Sequence, residues 1–132
     1  GGRFDDRINE FHSDLYILPT MDDYESISET LRATKYILKN NPKAKIIHIL
    51  NMAMCPSKAE KDDFKEGYFS NLKDNALEHI ISLEMPRSKL LKKLVNDGVK
   101  GSQVVDKNDN VIKYRSINRF TDDLIALIEK LI

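Results

Sequence analysis

The chain has 132 residues, 41% of them hydrophobic, which is enough for one compact core and too few for two ordinary domains. No apolar run approaches the length of a membrane span and the first residues lack the apolar stretch of a signal peptide, so the expected compartment is the cytoplasm. The 21 basic and 21 acidic residues cancel, and the single cysteine, Cys55, excludes an internal disulfide and has no cysteine or histidine companion at metal-ligand spacing.

Gly1-Gly2-Arg3 stands ahead of the first strand signal. A Gly-Gly pair in front of repeated strand and helix signals usually comes after the first half of an α/β nucleotide-binding fold, so the chain reads as a second half. Leu15 to Leu18, bounded by Asp14 and Pro19, is a short continuous apolar run, as expected of a strand buried on both faces. Asp22 or Asp23 offers an N-cap for a helix carrying Tyr24, Ile27, Leu31 and Leu38 on one side and ending before Pro42. Ile46 to Leu50 is a second buried strand ending at Asn51. Ser57-Lys58-Ala59-Glu60 is a capping box that opens a helix with Phe64, Tyr68 and Leu72 on one face.

Ile80 to Leu83 reads as a third strand leading into Glu84-Met85-Pro86, with a short basic helix from Arg87 to Asn96 and a left-handed cap at Gly98. Val99 to Arg115 is expected to be an exposed loop or weak hairpin around Lys107-Asn108-Asp109-Asn110. Ile117, Phe120, Leu124, Leu127, Ile128 and Leu131 form the core stripe of a closing helix.

Strands alternating with helices predict one α/β domain over residues 1–132. Its parallel sheet of about three or four strands is joined by right-handed crossovers and flanked by helices on both faces, as part of a doubly wound fold. Ligands of such sheets bind outside the carboxyl ends of the strands. Those ends carry Pro19-Thr20-Met21-Asp22, Asn51-Met52 and Glu84-Met85-Pro86-Arg87-Ser88. Charge is uneven along the chain: Met85 to Arg119 holds nine basic and three acidic residues, a local +6 against −6 elsewhere. Such a stretch can hold a polyanion through phosphate contacts, or can be a solvated face.

Asp14 to Thr20 with its helix, then Ile49-Leu50-Asn51, then Leu83 to Ser88 with a leucine-rich basic helix, resemble the C-terminal half of ParA/MinD-type deviant Walker P-loop ATPases. The Gly1-Gly2-Arg3 opening resembles the segment directly after their Walker B aspartate. The resemblance implies adenine recognition by Asn51 and packing of Pro86 against the base, with Met85 and Arg87 beside them. It also implies ATP and Mg2+ as cofactors of the parent protein, ATP-dependent homodimerisation, a partition adaptor as partner, and non-specific DNA binding in plasmid or chromosome segregation. By residue type and region, Lys89, Lys92, Lys93, Lys100, Arg115 and Arg119 are the expected DNA contacts.

The chain departs from that family in having no glycine-rich loop with its lysine, so it alone is not expected to hydrolyse ATP. Asp5 and Asp6 read as an acidic turn. His12, His48 and His79 lie in three elements without ligand spacing; His48 reads as a strand residue and the others as surface. Asp22-Asp23, Asp62-Asp63 and Asp122-Asp123 are expected near helix starts, where they complement the dipole. The alternatives are a stand-alone, non-catalytic α/β module binding protein or nucleic acid, and a small flavodoxin-like enzyme, against which Thr20-Met21-Asp22 is too short and glycine-free for a phosphate loop. A half-fold would expose strand edges at Leu15 to Leu18 or Ile46 to Leu50, so self-association is expected.

Overall fold

The computed structural model describes residues 15–87 and 115–132, with the side chains of the closing helix described from Arg119 onward. The expectations for residues 1–14, for the helix beyond Arg87 and for Val99 to Tyr114 lie outside the described residues. Strands β1 (Leu15–Thr20), β2 (Lys45–Asn51) and β3 (Ile81–Met85) alternate with helices α1 (Tyr24–Asn40) and α2 (Lys58–Asp74). A 3₁₀ turn, Met52–Met54, follows β2, and helix α3 (Arg115–Leu131) closes the chain. All strand pairs are parallel, in the order β1-β2-β3, so the fold is the expected α/β sheet flanked by helices.

Strand position follows from the apolar runs only in part. Ile46 to Leu50 is buried throughout, because β2 is central and both of its faces are covered. Among the described residues β1 is an edge strand, as one of the two expected edges, and β2 is not; but β1 is less buried than its apolar run predicts, with Ile17 41% exposed. An apolar run four residues long has the same signature at the centre and at the edge. Pro19, which cannot donate to a ladder, suits the edge.

A strand order that advances in one direction through right-handed crossovers puts successive helices on the same face. α1 and α2 accordingly touch, and both meet the side chains of β2 that alternate with Ile47 and Ile49. Ile27 and Leu31 from α1 pack with Phe64, Tyr68 and Leu72 from α2 over Leu50, while Ile37 packs on Ile46. Tyr24, expected on the inner stripe, is the first residue of α1 and is 78% exposed, whereas Ile37 is the most buried residue of that helix among the apolar ones. α3 packs against β3. Lys45 Nζ donates to the Leu131 carbonyl at the amino end of β2, while Phe120 lies beside Pro86 beyond the carboxyl end of β3, so α3 runs antiparallel to the strands.

Each helix boundary has a local cause. Asp23 Oδ1 accepts from Ser26 N–H at 2.7 Å and Ser57 Oγ from Glu60 N–H at 3.2 Å, the two N-caps. At the end of α2, Leu77 N–H bonds the Leu72 carbonyl at 2.9 Å while Ala76 takes φ 55°, a Schellman closure with alanine in the left-handed position. Leu77 and Leu72 meet in the core, which locks that turn. Ala76→Gly removes the Cβ conflict and is expected to stabilise the protein by roughly 0.5–1 kcal/mol, read as a higher urea midpoint with an unchanged slope.

Candidate functional site at the carboxyl edge of the sheet

The register pairs Asn51 with Met85, so the end of β2 and the Met85-Pro86-Arg87 segment emerge side by side. Asn51 Oδ1 accepts from Ala53 N–H at 3.0 Å and caps the 3₁₀ turn, which directs the amide oxygen to the backbone. The neighbouring turn after β1 is closed by Ser26 Oγ, which accepts from Met21 N–H at 2.9 Å, and by Thr30 Oγ1, which donates to the Pro19 carbonyl at 3.3 Å. Cys55 has no exposed surface, and its Sγ donates to Asp22 Oδ2 at 3.5 Å, tying the first two strand ends together. Burial, and after it Asp22 by hydrogen bond and by charge, push the Cys55 thiol up, so it stays protonated and unreactive.

A cavity of about 620 Å³ opens beside β3, between α2 and α3. Its apolar surfaces come from Met52, Leu83, Pro86 and Phe120. Lys61 and Arg119 supply positive charge, and Glu84 and Asp123 negative charge. Glu84 is also held by Lys65 from α2 at 3.2 Å, an exposed pair that orients more than it stabilises.

Ser82, on the same cavity wall, lies beside a buried polar chain on the sheet face. Thr34 Oγ1 lies 2.8 Å from the Thr30 carbonyl and 2.7 Å from His48 Nε2; His48 Nδ1 lies 2.7 Å from the Tyr68 hydroxyl, and Ser82 stands opposite His48 in register. Each ring nitrogen of His48 thus meets one hydroxyl, Thr34 on one side and Tyr68 on the other, so both nitrogens of the buried neutral imidazole are satisfied. Burial lowers the His48 pKa to about 4, and burial raises that of Tyr68 despite the opposing Ser82 hydrogen bond.

Of the residues expected to contact a nucleotide, the fold pairs Asn51 with Met85, places Pro86 next to them as the one that lines the cavity, and leaves Arg87 exposed. Of the expected DNA contacts, Arg119 is exposed and borders the cavity, Arg115 is the first residue of α3, and Lys89, Lys92, Lys93 and Lys100 lie outside the described residues. Asp122-Asp123 is not at a helix start: α3 begins at Arg115, and Asp123 reaches the cavity from mid-helix. Asp62, likewise inside α2, pairs with Lys65 at 3.8 Å. Glu84 belongs to a strand end singled out in the sequence, whereas Lys61, Ser82, Phe120 and Asp123 were missed as site residues. Of these, Ser82 carried a usable signal, as a polar residue in an apolar strand, and it stands opposite His48 in register.

No family model, no curated protein and no solved structure matches this chain. Its class is therefore defined by its own geometry, a parallel α/β unit with a mixed polar and apolar cavity at one end of the sheet. Among the described residues no helix is long and apolar enough to cross a membrane, and no group of three His, Cys, Asp or Glu side chains is placed to hold a metal ion. Among the described residues the cavity offers apolar surface and two side chains of each charge, with no group of three such ligands to hold a magnesium ion.

Proposed function

We propose that this chain is the C-terminal portion of a ParA/MinD-type partition ATPase that supplies contacts to the adenine of ATP and to DNA, as its resemblance to that family implies. The observation that carries the reading is the pairing of Asn51 with Met85, which gathers Asn51 and Pro86 at the carboxyl edge beside a cavity large enough for a nucleobase. The asparagine offers its amide to the polar edge of the base, and Pro86 and Phe120 offer flat apolar surface. The positive stretch from Met85 to Arg119 supports the DNA part. Self-association and an adaptor partner belong to the same proposal.

Without a phosphate cradle, the base contacts alone hold ATP weakly, with a Kd on the order of 1 mM. Asn51→Asp separates capping from recognition, since a carboxylate still accepts from Ala53 N–H but has no amide protons to donate. It is expected to weaken ATP binding roughly tenfold while the urea midpoint stays unchanged. Unaltered ATP affinity in Asn51→Asp would remove Asn51 from the site.

A further inference from the structure

We infer that the exposed flank of α1 carries a phosphate-binding surface, formed by Arg32, Lys35, Lys39 and Lys43, that takes duplex DNA. The surface is independent of the family reading, which places the DNA contacts between Met85 and Arg119. From Thr30 to Lys45 the chain holds five basic residues and no acidic one. Spacings of three and four residues put Arg32, Lys35 and Lys39 on one side of α1, and the turn after the helix adds Lys43. All four are exposed. That turn is fixed, because Asn41 Oδ1 accepts from Lys43 N–H at 3.2 Å and the Asn41 carbonyl accepts from Ala44 N–H at 3.0 Å. Glu29, one turn before Arg32, bounds the stripe toward the start of the helix.

The charges of this stripe are left unbalanced. The ion pairs among the described residues lie on α2 and β3 and involve none of the four side chains. Lys35 Nζ donates to Asn75 Oδ1, a neutral partner that holds the ammonium beside the end of α2 without cancelling its charge. Complementing the helix dipole accounts for Lys39 in the last turn, but not for Arg32 in mid-helix or Lys43 beyond the end. Like charges one turn apart repel, and phosphates relieve that repulsion while releasing counterions. Arg32 and Lys39 stand two helical turns apart, about 10 Å, which is the span of about three phosphates of one strand. The face favours nucleic acid over a membrane: Leu31, Ala33 and Ile37 are buried in the core, and no large hydrophobic residue from Glu25 to Ala53 is exposed to enter a lipid layer.

Fluorescence anisotropy of a short labelled duplex, titrated with the protein over a range of salt concentrations, tests the surface. Combining Arg32→Gln with Lys39→Gln is expected to weaken binding roughly tenfold at low salt and to lower the slope of log Kd against log salt by about 2. The control combines Lys58→Gln with Lys130→Gln, which removes as much charge from exposed positions on α2 and α3, and it is expected to bind as the wild type does. All four positions are exposed, so an unchanged urea midpoint is expected in both variants. Unaltered affinity and slope in the α1 variant, or an equal loss in the control, overturns the inference. Loss on replacing Lys89, Lys92 and Lys93, with the α1 variant binding normally, rejects the α1 surface and leaves the family reading of DNA contacts standing. Absence of duplex binding by the wild type rejects both surfaces, and co-sedimentation with phosphatidylserine vesicles in that case assigns the stripe to a membrane instead.

Discussion

Tyr68→Ala is expected to destabilise the protein by roughly 5 kcal/mol, the largest effect of any single substitution in α2. Tyr68 has no exposed surface, and its ring stands edge-on to His48 with centroids 5.8 Å apart and to Phe69 at 5.1 Å. Truncation removes the ring from the cluster that joins α1, β2 and α2 and leaves the neutral His48 without its Nδ1 partner. Tyr68→Phe keeps the ring and loses only the hydroxyl, at an expected cost of about 1–3 kcal/mol. Urea unfolding of the two variants separates packing from hydrogen bonding. If alanine and phenylalanine cost the same, the buried polar chain and not the ring dominates. With total stabilities of about 5–15 kcal/mol for ordinary domains, Tyr68→Ala is expected to be largely unfolded at 25 °C if this one sits at the low end.

Acid is expected to destabilise the fold through His48. Its folded-state pKa of about 4 lies below the unfolded value of 6.5, so between these pH values the unfolded chain binds a proton that the folded chain refuses. Above about pH 6.5 the imidazole is neutral in both states and contributes no slope. As pH falls from about 6.5 to about 4, stability drops by up to about 3 kcal/mol, and below that the contribution levels off. The cause is burial: no charged group faces the ring from α1, α2, β1 or β3, and its one titratable neighbour is the Tyr68 phenol. Carboxylates titrate in the lower part of this window, so the diagnostic is the difference between the wild type and His48→Gln, whose side chain does not titrate. The two pH profiles of urea stability are expected to converge toward acid, with the wild type losing the more; parallel profiles would place no titration at His48.

The elements with two independent local signals were legible in the sequence. Ser57-Lys58-Ala59-Glu60 carried both a cap and an apolar stripe, and α2 begins where they agree. Ile46 to Leu50 combined a β-branched run with a polar stop, and it is the central strand. β1 carried only an apolar run, which does not encode how many neighbours a strand has, and it lies at the edge of the described sheet. Asp122-Asp123 resembled a helix start because paired carboxylates favour one, but α3 runs a further two turns toward its N-terminus.

The site was half legible for a related reason. Asn51, Met85 and Pro86 come directly at or after strand ends, and the rule that parallel sheets bind ligands at carboxyl ends finds them without coordinates. Lys61, Glu84, Phe120 and Asp123 converge only because α2 and α3 flank the open side of β3, a relation no local pattern contains. His48 read as an ordinary strand residue, and that is its place. Its role in joining Thr34 of α1 to Tyr68 of α2 depends on how the two helices cross β2, which no local pattern contains.

The most direct test of the nucleotide reading is an amide-resolved titration of the protein with ATP and, separately, with GTP at neutral pH. Saturable shifts are expected for ATP at Asn51 to Met54, Leu83 to Met85, Arg87 and the Phe120 turn of α3, with little response to GTP at the same concentrations. Shifts of equal size for both nucleotides, or shifts confined to surfaces away from the carboxyl ends of β2 and β3, would contradict it.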